Sequence, residues 1–297
     1  MNVDAFNADR SYLFSVIDRY IISSKEAAYR KNEINQAFAE MEKTNCIDAR
    51  YCQHAHEIKS IPFLSQFGKL TIANDSAHRP GCDFELDASE HYYVECVCAS
   101  AGDKKNGLDR FCVHDKIINC NAKKAIINSR FTSALQEKVI FYYRHTVETN
   151  VSISANRPYI IFLSTGGLVY EYFAEKYGFA LTDILLGRGN PQITFNAAKN
   201  EVIEQGYSHN SVLQKWNGKK INCNLFCDPS FVCVSAILFC NADLLKPYSA
   251  ANTWLFINPY AKIPIVKRDF HGLIYWSGKP GEMYCARKNG YKAVFDK

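Results

Sequence analysis

The stretch Gly81-Cys82-Asp83-Phe84-Glu85-Leu86-Asp87-Ala88-Ser89-Glu90-His91-Tyr92-Tyr93-Val94-Glu95-Cys96-Val97-Cys98 decides how this chain can fold. Over 82–87 the apolar Phe84 and Leu86 alternate with acids, and 91–98 is aromatic, β-branched and rich in Cys. Both read as β-strands. The polar link Ala88-Ser89-Glu90 suits a tight hairpin. If Asp87 pairs with His91, antiparallel counting sets Glu85 against Tyr93 and Asp83 against Glu95. Directly opposed residues share a face, with Cβ atoms about 5 Å apart. Two opposed carboxylates repel, and a divalent cation between them reverses that cost, since Mg²⁺ takes one or two carboxylates together with water and phosphate. A second reading makes Asp83, Glu85 and Asp87 the wet face of an edge strand. A link one residue longer would turn Asp83 to the opposite face.

Outward from this hairpin the pattern reads helix, three strands, helix, strand. A helix is predicted over about 48–67, with Gly68 ending it and Pro62 kinking or splitting it. Strands are predicted near 69–73, 82–87 and 91–98, then a long polar loop over 99–122. A helix over about 130–147 and the apolar run Tyr159-Ile160-Ile161-Phe162-Leu163 follow, the latter suited to a strand buried on both faces. Further on come a helical stretch near 169–187 and strands near 192–196, 231–240, 253–258 and 273–277. Before the hairpin, Leu13, Val16, Ile17, Tyr20 and Ile21 keep helical spacing, as do Ile34, Phe38 and Met41. Ser23-Ser24-Lys25-Glu26 offers a capping box, placing a second helix start near Ser24. The expected fold class is α/β (α+β): a central mixed sheet flanked by helices, with an α-β-β-β-α-β core. Residues 1–47 form a helical extension, and 48–297 form one domain whose C-terminal part is β-rich and basic.

Composition narrows the class. At 297 residues, 47% hydrophobic and 13% aromatic, the chain suits a folded protein with a sizeable core. No window approaches the roughly 18 apolar residues of a membrane span. The first residues lack a basic segment followed by an apolar one, so neither a membrane nor a secretory route is expected. Twelve cysteines show no CxxC pair and no zinc spacing, so they read as small buried thiols in a reducing, cytoplasmic compartment. The net charge of +5 is uneven: from Lys246 onward nine Lys and Arg stand against three acids. Trp254, Phe256, Tyr260, Phe270, Tyr275 and Trp276 are interleaved with them, which suits stacking on nucleic acid and equally suits ordinary core strands.

This order of elements, with Asp83 and Glu95 on its second and third strands, resembles the PD-(D/E)xK superfamily of restriction-endonuclease-like nucleases. Pro80-Gly81-Cys82-Asp83 stands where that family has Pro-Asp, and Glu95-Cys96-Val97 where it has Glu-x-Lys. The chain is more closely similar to a group of uncharacterised bacterial proteins of that fold. The stretches are Arg79-Pro80 with Asp83-Phe84, Val94-Glu95-Cys96-Val97-Cys98-Ala99-Ser100, and Arg130-Phe131-Thr132-Ser133-Ala134-Leu135-Gln136-Glu137-Lys138. Val234-Ser235-Ala236-Ile237-Leu238 and Asn258-Pro259-Tyr260-Ala261 add to the likeness, which covers roughly 50–265.

The resemblance implies a metal-dependent hydrolysis of phosphodiester bonds in DNA or RNA, with Mg²⁺ or Mn²⁺ held by Asp83 and Glu95. The strand lysine is replaced by Val97, and Lys138 on the following helix is the candidate to supply it. Lys138 lies on the border of a stripe made by Phe131, Ala134, Leu135 and Tyr142, where it either meets an anion or snorkels to water. Glu57 resembles an acid that many members add to the metal shell; a solvated helix face accounts for it, and for its neighbours His54 and His56, equally well. Two other classes remain beside the nuclease. One is a catalytically inactive module of the same fold that binds nucleic acid or a protein. The other, a Cys-dependent hydrolase using Cys112 and His114, lacks a visible orienting partner.

Overall fold

The structure is a computed structural model that describes residues 3–72, 82–100, 124–148, 155–167, 181–209, 211–214, 218–241, 244–277, 284–286 and 292–294. Three helices open the chain: α1 (Val3–Tyr20), α2 (Ser24–Thr44) and α3 (Ala49–Leu64). Helix α2 starts where its capping residues predict, with the Ser23 hydroxyl accepting the Glu26 amide N–H. Asn45, in the left-handed region at φ 52°, ends it. Asp48 caps α3 by accepting the N–H of Arg50. Pro62 lies within the last turn of α3, which then tightens: the Gln66 N–H bonds Phe63 and the Phe67 N–H bonds Leu64. The helix therefore stops short of Phe67. Gly68 follows in the tightest approach of the region, since a Cβ there would meet the Asp87 carbonyl oxygen at 2.2 Å.

Next come β1 (Lys69–Ile72), β2 (Phe84–Asp87), β3 (His91–Ser100), α4 (Lys124–Tyr143) with a π-helical turn (Arg144–Glu148), and β4 (Tyr159–Gly167). The α-β-β-β-α-β order is thus present. Strands β5 (Arg188–Asn196) and β6 (Glu201–His209) pair as a separate ribbon, as do β7 (Val212–Gln214) and β8 (Lys220–Asn222). The chain then returns through β9 (Val234–Cys240), β10 (Thr253–Ile257), β11 (Ile274–Ser277), β12 (Tyr284–Ala286) and β13 (Lys292–Val294).

Nine strands form one mixed sheet in the order β1-β2-β3-β4-β9-β10-β11-β12-β13. Its centre is parallel, β3 with β4 and β4 with β9, and both flanks are antiparallel apart from the parallel β10 and β11. The apolar run at 159–163 is the interior strand predicted, and every one of those side chains is buried. Alternation along β3 separates two cores. Tyr92, Val94 and Cys96 pack beneath α1, α2 and α3, while Tyr93, Val97 and Ala99 pack beneath α4 and the helical residues 181–186.

Some expectations are corrected. Helix α4 begins at Lys124, six residues before the predicted 130. Residues 231–233 belong to a 3₁₀ turn, Pro229–Cys233, so β9 starts only at Val234. Strands β6, β7, β8, β12 and β13 had no counterpart in the sequence reading. Strand β2 is not an edge strand, because β1 pairs along its other side. Of the aromatic residues in the basic C-terminal part, Phe256, Phe270 and Trp276 are core, with the Phe256 and Trp276 rings stacked at 5.8 Å, whereas Tyr260 is exposed and Trp254 and Tyr275 are half-buried. The three core rings present no stacking surface to a nucleic acid. Of the loop predicted over 99–122, Ala99 and Ser100 belong to β3 and the rest lies outside the described residues; of the helical stretch predicted near 169–187, residues 181–186 are helical and 169–180 lie outside the described residues. No helix among the described residues is long and apolar enough to cross a membrane.

Candidate functional site

The hairpin register is the one counted from the sequence: Asp87 faces His91 and Glu85 faces Tyr93. Strand β2 begins at Phe84, opposite Val94, whereas β3 runs on to Ser100. Past Val94, β3 therefore has an edge that β2 does not cover, and backbone groups on a buried edge need partners. Side chains supply them. Asp83, just before β2, accepts the Cys96 amide N–H on Oδ2 at 2.6 Å. Gln53 of α3 accepts the Cys98 N–H at 2.8 Å and donates to the Cys96 carbonyl at 3.2 Å. The Asp83 amide in turn donates to Glu95 Oε2 at 3.3 Å.

Glu95 has the same parity along β3 as Tyr93 and Val97, which carries its side chain to the α4 side of the sheet. There Lys138 meets it, with Nζ 2.6 Å from Glu95 Oε1. Phe131, Ala134, Leu135 and Tyr142 form the buried stripe of α4 as predicted, and Lys138 reaches inward from its border to an anion. The alternative of a lysine snorkelling to water is overturned.

Glu57 is buried, so the solvated-face alternative is overturned for it as well. Gln53 donates to its Oε1 at 2.8 Å, and Arg30 of α2 approaches its Oε2 at 3.3 Å. Arg30 also binds Glu26 at 2.7 Å, and all three charged side chains are almost wholly shielded from water. His56 is buried and structural: Nε2 lies 2.7 Å from the Phe162 carbonyl oxygen, which fixes the proton there, and Nδ1 lies 2.8 Å from the Tyr248 hydroxyl, which then donates to it. Burial pushes its pKa down to about 4 against the pull of that carbonyl. His54 is half-buried, 3.8 Å from Glu33.

The electrostatics set the acids apart. Burial raises Asp83 well above the ordinary carboxylate range, and the charges of Glu95 and Glu57 raise it further, against the opposing pull of Lys138 and the Cys96 N–H. Burial also raises Glu95, with Lys138 as the main opposing influence. Burial would lower Lys138, but Glu95 and Asp83 outweigh it and hold the ammonium above its usual range. Lys138 is therefore charged at neutral pH, and of the two acids Glu95 is the one directly ion-paired.

The donor set fits a hard cation. Asp83, Glu95 and the Cys96 carbonyl offer oxygen alone, as Mg²⁺ or Mn²⁺ prefers. The nearby thiols of Cys82 and Cys96 are held protonated by burial and by the acids, so they do not compete as ligands. Among the described residues no three His, Cys, Asp or Glu side chains group closely enough to hold a metal ion alone. Water and a phosphate oxygen would have to complete the shell, as they commonly do for Mg²⁺.

Gln53 and Arg30 went unnoticed in the sequence. The available signal was spacing: Gln53 precedes Glu57, and Glu26 precedes Arg30, by one helical turn of four residues. The sequence motifs after the core prove structural. The Asn258 amide donates to the Phe231 and Val234 carbonyls, and the Ser235 hydroxyl donates to that of Ile263. Cys112, His114 and Arg79-Pro80-Gly81 lie outside the described residues. Nine of the described cysteines are free thiols, five of them buried. No protein-family model, no curated protein and no solved structure matches the chain.

Proposed function

We propose that the protein is a metal-dependent nuclease of the PD-(D/E)xK type, with Asp83, Glu95 and Lys138 as its reactive constellation and Mg²⁺ or Mn²⁺ as cofactor. One observation carries this reading. Lys138, delivered by α4, lies 2.6 Å from Glu95, whose other oxygen is bonded by the amide of Asp83. Three groups far apart in sequence thus meet at the end of one strand pair. A structural ion pair alone needs no second buried carboxylate of raised pKa beside it.

Asp83, Glu95 and the Cys96 carbonyl would hold the metal. When bound, it supplies a Lewis acid and lowers the pKa of a water at the phosphate. The Lys138 ammonium adds a fixed positive charge where negative charge gathers on the phosphate oxygens. Its short bond to Glu95 sets its position before substrate arrives, which limits reorganisation during reaction. Lys and Arg contacts to phosphates would supply affinity for the polyanion, and that affinity would fall with salt.

The test is cleavage of mixed DNA and RNA substrates with Mg²⁺ or Mn²⁺ by wild type, Asp83→Asn, Glu95→Gln and Lys138→Ala. Cleavage by wild type and a loss on the order of a hundredfold or more in Lys138→Ala support the reading. Lys138→Arg should recover little, because a planar fork does not replace a compact ammonium. Equal activity in all four proteins would overturn it. Binding of nucleic acid or a protein by wild type without any cleavage would favour the inactive module of the same fold.

A further inference from the structure

We infer that Arg30 is a positioning residue of this metal centre, acting through Glu57, and that the α1–α2 helical pair is therefore part of the catalytic unit. The inference rests on the nuclease reading above. It starts from how Glu57 is held. Each of its carboxylate oxygens has its own partner: Gln53 on Oε1 at 2.8 Å and Arg30 on Oε2 at 3.3 Å. Gln53 in turn is tied to the backbone of Cys96 and Cys98 on β3. A continuous series of bonds thus runs from Glu26 on α2 through Arg30, Glu57 and Gln53 to the strand that carries Glu95. Glu57 is near enough to the acids for its charge to act on both Asp83 and Glu95.

A purely adhesive role suits these groups poorly. Moving an arginine and two carboxylates out of water is costly, and apolar side chains of similar volume join two helices at least as well. A buried, charged, two-sided hold on a carboxylate instead fixes its rotamer. Partners of that kind around a metal centre tune its affinity, and their loss typically weakens metal binding or activity about 10- to 100-fold.

The experiment measures Mn²⁺ affinity by the loss of the free-ion electron paramagnetic resonance signal, and Tm in the absence of metal. It uses the full chain as wild type, Asp83→Asn, Glu57→Gln, Arg30→Gln, Arg30→Lys and the double variant Arg30→Gln/Glu57→Gln. Arg30→Gln and Glu57→Gln should each weaken Mn²⁺ binding about 10-fold or more, and the double variant should be no weaker than the poorer single one, because both act through one carboxylate. If Arg30→Gln does not fold, Arg30→Lys decides. It retains the charge but cannot span both carboxylates, and its affinity should fall several-fold with a cooperative unfolding transition retained. A folded Arg30 variant with wild-type affinity overturns the inference while leaving the nuclease reading intact, as do independent, multiplying losses in the double variant. Failure of the underlying reading has a different signature: wild type does not take up Mn²⁺, or Asp83→Asn takes it up equally well.

Discussion

Asp83 serves two ends at once. Its carboxylate completes the hydrogen bonding of β3, and it is the acid whose protonation is most displaced. The consequence for stability has a definite sign. Below the ordinary carboxylate range both folded and unfolded chains carry the proton, and no difference arises. As pH rises through that range the unfolded chain ionises first, while folded Asp83 keeps its proton, so stability falls until folded Asp83 ionises as well. Asp83→Asn removes the penalty and can still accept the Cys96 N–H. In metal-free protein it should therefore raise stability at neutral pH and flatten the decline of Tm as pH rises above the ordinary carboxylate range. A variant that melts lower than wild type at pH 8 would contradict this. His56 has the opposite sign. Its folded pKa of about 4 lies below the free value of 6.5, so the stability it contributes is present above pH 6.5 and lost as pH falls towards 4. The loss across that window should be about 3 kcal/mol. His56→Gln should flatten it in denaturant titrations at pH 7 and pH 4.5.

Among the elements, α3 links the parts. One side of it sends Gln53 and Glu57 to the strand edge, and another sends Lys59 to Asp9 of α1 at 2.6 Å, with the Tyr51 hydroxyl donating to the same carboxylate at 2.9 Å. Lys59 and Asp9 are almost completely buried, and the Lys59 ammonium also donates to the Leu244 carbonyl. Lys59→Met removes the cation beside buried Asp9 and should cost about 3–5 kcal/mol in urea unfolding, whereas Lys59→Met with Asp9→Leu should regain most of it. A single variant within 1 kcal/mol of wild type, on the scale of an exposed pair, would refute a tightly coupled role. The elements around it show what sequence can carry. The start of α2 was legible because capping is local, and the hairpin register because strand period and link length fix it. Lys138 was legible because a charge bordering an apolar stripe needs an explanation. The early turns of α4 were not. Asn128 and Ser129 resemble loop residues, yet they are buried, and the Ser129 hydroxyl donates to the Ile126 carbonyl. Gln53 and Arg30 were not legible either, since their meaning lies in partners on other elements.

Across the whole molecule the sheet divides two cores, and the α1–α2 pair belongs to one of them. Phe6, Leu13, Ile17, Ile34, Phe38 and Met41 are buried together with residues of α3 and of the five strands β2, β3, β4, β9 and β10. Each such side chain contributes about 1.5–3 kcal/mol by leaving water, and a chain beginning at Asn45 would expose the α3 surface they cover. That truncation should not give a cooperatively unfolding monomer. A soluble truncated chain with a single sharp melting transition, by light scattering and calorimetry, would show the helical pair to be dispensable. The uncovered edge of β3 has a further consequence. The Cys96 and Cys98 amides donate to side chains of Asp83 and Gln53, not to a neighbouring strand. Whatever draws Asp83 or Glu57 towards a new occupant must change the strength of those two bonds. The two amides are thus reporters built into the sheet: in ¹⁵N-enriched protein their nitrogen chemical shifts and proton exchange rates register occupancy at the acids, with no substrate turned over.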